Sequence, residues 1–172
     1  MRLIHLFIML SMTASVVAEI PRLSLPDNVK AQNLPGISLQ ANSFSIDELE
    51  ASMVVLVVFD FYCPVCQKSA ANIKRLAEEV AATTPGIPII GIGTGDTPFE
   101  TQKFKDKFEL PFPCASDRAK TMANYYHVER TPSIIVLSKS GEENLLEELY
   151  RNEGYLGREH IDEIISLLKE DT

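Results

Sequence analysis

Two cysteines separated by two residues, Cys63-Pro64-Val65-Cys66, are the residues whose type and spacing most directly imply chemistry. Carried at the start of a helix, the pair would lie one turn apart, close enough to form a disulfide. A helix N-terminus presents unpaired N–H groups and the positive end of the dipole, and both favour a thiolate. A Cys held there in a Cys-X-X-Cys motif has its pKa lowered from about 8.5 to roughly 3.5–7.5. Cys63 is then the attacking sulfur and Cys66 the resolving one. The reaction this implies is thiol–disulfide exchange, which calls for no cofactor beyond the two sulfurs. Pro64 and Val65 supply no charge and, apart from the Val65 N–H, no donor, so either direction of exchange stays open.

The flanking sequence predicts elements able to hold the pair. Met53 to Phe59 is apolar without alternation, which predicts a strand covered on both faces. After Cys66, residues Ala70, Ile73, Leu76, Ala77 and Val80 fall at helical spacing, and Pro85-Gly86 ends that helix. Ile87 to Gly93 reads as a second buried strand. Thr97-Pro98-Phe99-Glu100 has the form of a capping box opening a helix to about Phe108. Phe112 to Ala115 predicts a short strand holding Cys114, and Asp117 to Tyr126 a helix with Ala119, Met122, Ala123 and Tyr126 inward. Ser133 to Ser138 predicts a strand, Leu145 to Tyr150 its antiparallel partner, and Arg158 to Lys169 a closing amphipathic helix. Upstream, Ile37–Leu39 and Phe44–Ile46 suggest a small hairpin, and Asp47 to Glu50 a helical turn. This order of elements predicts an α/β domain with a mixed central sheet and helices on both faces.

The chain has 172 residues, 45% of them hydrophobic and 23% charged, with a net charge of −8. That composition excludes a disordered chain. The acidic balance, with Lys and Arg scattered, argues against nucleic acid and anionic membranes as partners. Residues 1–18 carry Arg2, an apolar stretch and a small-residue end at Val16-Val17-Ala18, which predicts a cleaved signal peptide; an uncleaved anchor is the alternative. Residues 19–33 read as an extended arm, and residues 34–172 as the folded domain. Export would place the three cysteines in an oxidising compartment, where Cys63 and Cys66 pair and Cys114 is left over. Free cysteines are among the most buried residues, so Cys114 is expected as a small core side chain.

Three segments carry a family resemblance: VLVVFDFYCPVC, the later YYHVERTPSIIVLSKSGE, and the signal segment in front. Together they make the chain resemble the thioredoxin-fold superfamily. The predicted helix and strand between Thr97 and Ser116 and the N-terminal hairpin bring it nearer to TlpA/ResA-like, AhpC/TSA-related exported oxidoreductases. The resemblance implies that Cys63 is the nucleophile and Cys66 the resolving thiol. It also implies that Pro132, after Thr131, is a cis-proline beside the disulfide. Tyr62, Pro64, Val65 and Thr131 would frame the substrate contact. Implied partners are thiols and disulfides of other exported proteins, with a membrane-bound redox partner a further possibility, in a bacterial periplasm. The chain departs from the family in having Tyr62 where Trp precedes the first Cys. It also has Val57 where thioredoxin buries an Asp, so the sequence names no proton acceptor for Cys66. Asp60 is expected to be exposed or to cap a turn.

Two other readings compete. A peroxiredoxin-like peroxidase would use Cys63 with Cys66 or Cys114 as resolving thiol. The resemblance to that group implies a Pro-x-x-x-Thr-x-x-Cys run, where this chain has Phe59-Asp60-Phe61-Tyr62-Cys63. A metal site would need four ligands, and only Cys114, His127 or His160 could complete the pair, none at ligand spacing. His127 is expected to end a helix.

Overall fold

The computed structural model describes residues 19–24, 34, 43–140 and 145–170. Its centre is strand β3, Met53–Phe59, in which all seven residues are buried. The reason is the unbroken apolar run: both faces of this strand need cover. Met53, Val55, Val57 and Phe59 point to one layer and Val54, Leu56 and Val58 to the other.

Helices α1 (Pro64–Thr83) and α4 (Arg158–Glu170), with Phe104 of α2 (Pro98–Phe108), cover the first face. The expected positions Ala70, Ile73, Leu76, Ala77 and Val80 of α1 are buried there, as are Ile161, Ile164, Ile165 and Leu168 of α4. The second face packs on α3 (Thr121–Tyr125) and on the N-terminal residues Leu23, Leu34, Phe44, Ile46 and Leu49.

The sheet joins β1 (Leu23–Ser24), β2 (Ser43–Phe44), β3, β4 (Ile89–Thr94), β5 (Cys114–Asp117), β6 (Ser133–Ser140) and β7 (Leu145–Glu153) in the order β2-β1-β5-β4-β3-β6-β7. β3, β4 and β5 run parallel, with Val57 opposite Gly91 and Gly91 opposite Cys114. β6 and β7 are antiparallel to the centre. The parallel trio matters for the site, because it brings the C-terminal ends of β3 and β4 side by side.

Two local expectations need correction. Leu23–Ser24, within the stretch expected as an arm, is bound into the sheet and pairs with Ser43–Phe44 and with Ser116. A strand of two residues with one buried side chain has no period to read. The expected hairpin arm at 37–39 and the signal segment 1–18 lie outside the described residues. The third helix is shorter than expected: Asp117 closes β5 and caps α3 with its side chain, donors being Thr121 N–H at 2.8 Å and Ala123 N–H at 3.0 Å. Ala119 is therefore in the exposed turn and not inward.

Candidate active site

Cys63 is the N-cap of α1, and Pro64 fills its first turn, where a missing N–H costs nothing. The side chain that caps this helix is itself a thiol. Cys63 Sγ accepts the N–H of Cys66 at 3.3 Å, and the Cys63 thiol donates to the Thr131 carbonyl oxygen, also at 3.3 Å. All three cysteines are free; Cys63 is half-buried, Cys66 and Cys114 fully buried.

Burial acts to raise the Cys63 pKa, but hydrogen bonds from the Thr131 side chain, the Cys66 thiol and the Cys66 and Val65 backbone outweigh it and leave the thiol below its ordinary value. Cys66 has the opposite balance. Burial dominates and pushes it up to about 12, against the pull of the Asp60 backbone and Thr131. The two sulfurs therefore differ in the sense exchange requires: one ready to ionise, the other held as a thiol.

The turn leading into Cys63 is tied at each successive N–H. Phe61 N–H donates to the Asp96 carboxylate (3.0 and 3.2 Å to its two oxygens), Tyr62 N–H to Asp60 Oδ1 (2.7 Å) and Cys63 N–H to the Asp60 carbonyl (3.1 Å). Gln67 Nε2 donates back to the Phe61 carbonyl at 3.0 Å. Asp60 thus forms a local turn, as expected of it. Asp96 comes from the end of β4 and was not singled out from the sequence. The signal was there: it is an acid directly after an apolar strand parallel to the one that ends in the CxxC.

Tyr62, Pro64 and Val65 are exposed, Thr131 is half-buried and Pro132 is buried. The Thr131–Pro132 bond is cis. Tyr62 Oη donates to Glu100 Oε1 at 2.7 Å, so the residue before Cys63 is anchored to the first turn of α2. Cys114 is far from this chemistry in character: it is wholly buried in the core, its thiol directed at the Phe112 carbonyl, and burial raises it to about 12. His127 is exposed with φ 51°, past the end of α3. Among the described residues no group of three His, Cys, Asp or Glu could hold a metal ion.

A profile of the AhpC/TSA family matches residues 18–143. The chain belongs to the AhpC/TSA family. Within the reach of this AhpC/TSA chain, the thiol-disulfide oxidoreductase ResA of Halalkalibacterium halodurans is 27% identical over 104 residues, 60% of this chain and 58% of that protein. ResA of Geobacillus kaustophilus is 23% identical over a stretch covering 60% of this chain and 59% of its own length. The match thus spans less than two thirds of these relatives.

Solved structures of the same fold include a secreted Mycobacterium tuberculosis disulfide oxidoreductase homologous to Escherichia coli DsbE. Its TM-score is 0.56 at 19% identity, over 80% of this chain and 96% of that one. The bacterioferritin comigratory protein of Xanthomonas campestris, described for alkyl peroxide reduction, gives 0.58 at 16% identity, over 87% and 97%. Both show this AhpC/TSA chain to have the thioredoxin-like arrangement of its relatives.

Proposed function

We propose that this chain is a thiol–disulfide oxidoreductase that exchanges the Cys63–Cys66 pair with other exported proteins. The observation that carries the reading is the position of Cys63 Sγ as N-cap, 3.3 Å from the Cys66 N–H, with the two thiols shifted in opposite directions. In the reducing direction the Cys63 thiolate attacks a substrate disulfide. A mixed disulfide forms, and the departing substrate sulfur leaves as a thiolate and takes a proton. Cys66 then gives up its proton and attacks the Cys63 sulfur. The second substrate thiolate leaves, and the chain is left with a Cys63–Cys66 disulfide. Two electrons have passed from the dithiol to the substrate. The oxidising direction reverses each step.

Exposed Tyr62, Pro64 and Val65, with Thr131 and Pro132 behind them, supply the contact surface for a polypeptide substrate. Similarity to ResA supports protein thiols as partners, and residues 1–18 support export to a periplasm. The test is thiol trapping across a glutathione series, read by mass. The reading predicts that Cys63 and Cys66 convert together while Cys114 remains a thiol. The midpoint then gives direction, near −270 mV for a thioredoxin-like reductant and near −120 mV for an oxidant. Rapid peroxide consumption without formation of that pair would replace this reading with the peroxidase one.

A further inference from the structure

Asp96 is a buried carboxyl, 2% exposed, with no cation paired to it among the described residues. Its bonding to the protein is particular. Its oxygens accept the Phe61 N–H, the one tie on the turn before Cys63 that comes from a different strand. Its own carbonyl accepts the Ser116 hydroxyl at 2.6 Å, which fixes the loop after β4 against β5. Beside it lies Thr101 of α2, fully buried, whose hydroxyl has no hydrogen-bond partner. Gly93 makes room for both. A Cβ there would stand 2.3 Å from Thr101 Oγ1 and 3.0 Å from Asp96 Oδ2, so the two oxygens border one small space that any larger residue would fill.

A buried hydroxyl without a partner is costly, and Thr101 Oγ1 makes no hydrogen bond to the Asp96 carboxylate that borders the same space. A protonated carboxyl carries one donor, and the hydroxyl oxygen of Thr101, on the other side of the space left by Gly93, is an acceptor for it. We propose that Asp96 is a positioning residue for the Cys63–Cys66 reaction: as a carboxylate it seats the Phe61–Tyr62–Cys63 turn, and when protonated it shares its hold with Thr101. The proposal rests on the exchange reading of the CxxC pair.

The surrounding charges favour the proton. Burial is the main cause, and Asp60 and Glu100 add to it, so Asp96 is raised to about 7 even though the Phe61 N–H pulls it down. The groups facing it are Asp60 and Tyr62 from the turn and Glu100 from α2, while the stem of Lys120 lies against the neighbouring Gly95, 3.0 Å from a Cβ placed there. Arg118 acts on Glu100 rather than on Asp96. The switch therefore lies in the pH range where an exported protein works, and it acts on the nucleophile through one backbone hydrogen bond.

The test is the pH profile of Cys63 alkylation by iodoacetamide in the reduced full chain, from pH 4 to 9. The wild-type chain is expected to show two steps, one from Cys63 itself and one near 7. Asp96→Asn keeps an acceptor for Phe61 N–H but cannot ionise. It should lose the step near 7 and change the rate at pH 8 by about threefold, equivalent to half a pKa unit. Thr101→Val removes the orphaned hydroxyl at nearly constant shape and should move the same step to lower pH. A profile in Asp96→Asn that superimposes on wild type, with both proteins folded by circular dichroism, overturns the proposal. So does a Thr101→Val step that stays in place. The alkylation profile reads Asp96 whether or not the pair exchanges disulfides, so failure here is distinct from failure in the glutathione series.

Discussion

Cys63 Sγ lies 3.3 Å from the carbonyl oxygen of Thr131, a residue 68 positions further along the chain. That contact joins the start of α1 to the turn before β6, and it leaves Cys63 with polar neighbours on both sides. Cys66, one helical turn on, has none of that exposure. Chemistry at this site should therefore be ordered, with Cys63 always first.

Ordered attack predicts opposite outcomes for the two serine variants. Cys66→Ser, incubated with glutathione disulfide, should accumulate a stable mixed disulfide at Cys63, because the thiol that resolves it is gone. Cys63→Ser should form none at Cys66 on the same timescale. Intact mass distinguishes them. Equal labelling of both variants would mean that the two sulfurs are equally accessible, contrary to their burial.

The same asymmetry predicts selective alkylation. At pH 8 the reduced native chain should take up one equivalent of iodoacetamide quickly, at Cys63, whose pKa is lowered. Cys66 and Cys114 are both raised to about 12 by burial and should react at least tenfold more slowly until the chain is unfolded. Peptide mapping after a short pulse checks this. Fast labelling of Cys114 would contradict its place in the core.

Cys114 also has a stability test. Gly91 sits between Val57 and Cys114 in the sheet, and a Cβ added there would be 2.5 Å from Cys114 Sγ and 3.1 Å from the Phe59 and Phe112 rings. Gly91→Ala should destabilise the fold by about 1–3 kcal/mol through overpacking. Cys114→Ala in the same chain removes the nearest clash. The urea-unfolding cycle should then show a favourable coupling of at least about 0.5 kcal/mol. Strict additivity would mean that the strands adjust without the sulfur yielding.

Much of this was legible in the sequence because periodicity and punctuation act locally. The run Met53–Phe59, the buried stripe of α1 and the Thr97–Glu100 capping box are each set by neighbours in the chain, and the structure has them where the sequence predicts. The Cys63 N-cap is local too. What could not be read depends on contacts across the sheet. Leu23–Ser24 joins β5 through backbone pairing that leaves no pattern in two residues. Asp96 reaches the CxxC only because β3 and β4 are parallel neighbours, so an acid 33 residues after Cys63 ends beside the turn that carries it. Gly93 and Thr101 acquire meaning only once that approach is known.

Asp96 makes stability depend on pH with a definite sign. Unfolded, its carboxyl titrates near 3.9. Folded, burial raises it to about 7. Between those values the folded state holds a proton that the unfolded state has released. The contribution is fully present below about pH 4 and is lost as pH rises through 7. Asp96→Asn removes this term alone. Relative to wild type, it should gain stability on going from pH 5 to pH 8, by more than about 1 kcal/mol, since one pKa unit corresponds to ~1.4 kcal/mol. Urea midpoints of both proteins at the two pH values give the comparison. A difference that does not change between pH 5 and pH 8 would place the Asp96 titration outside that window and remove the physical basis for a proton switch beneath Cys63.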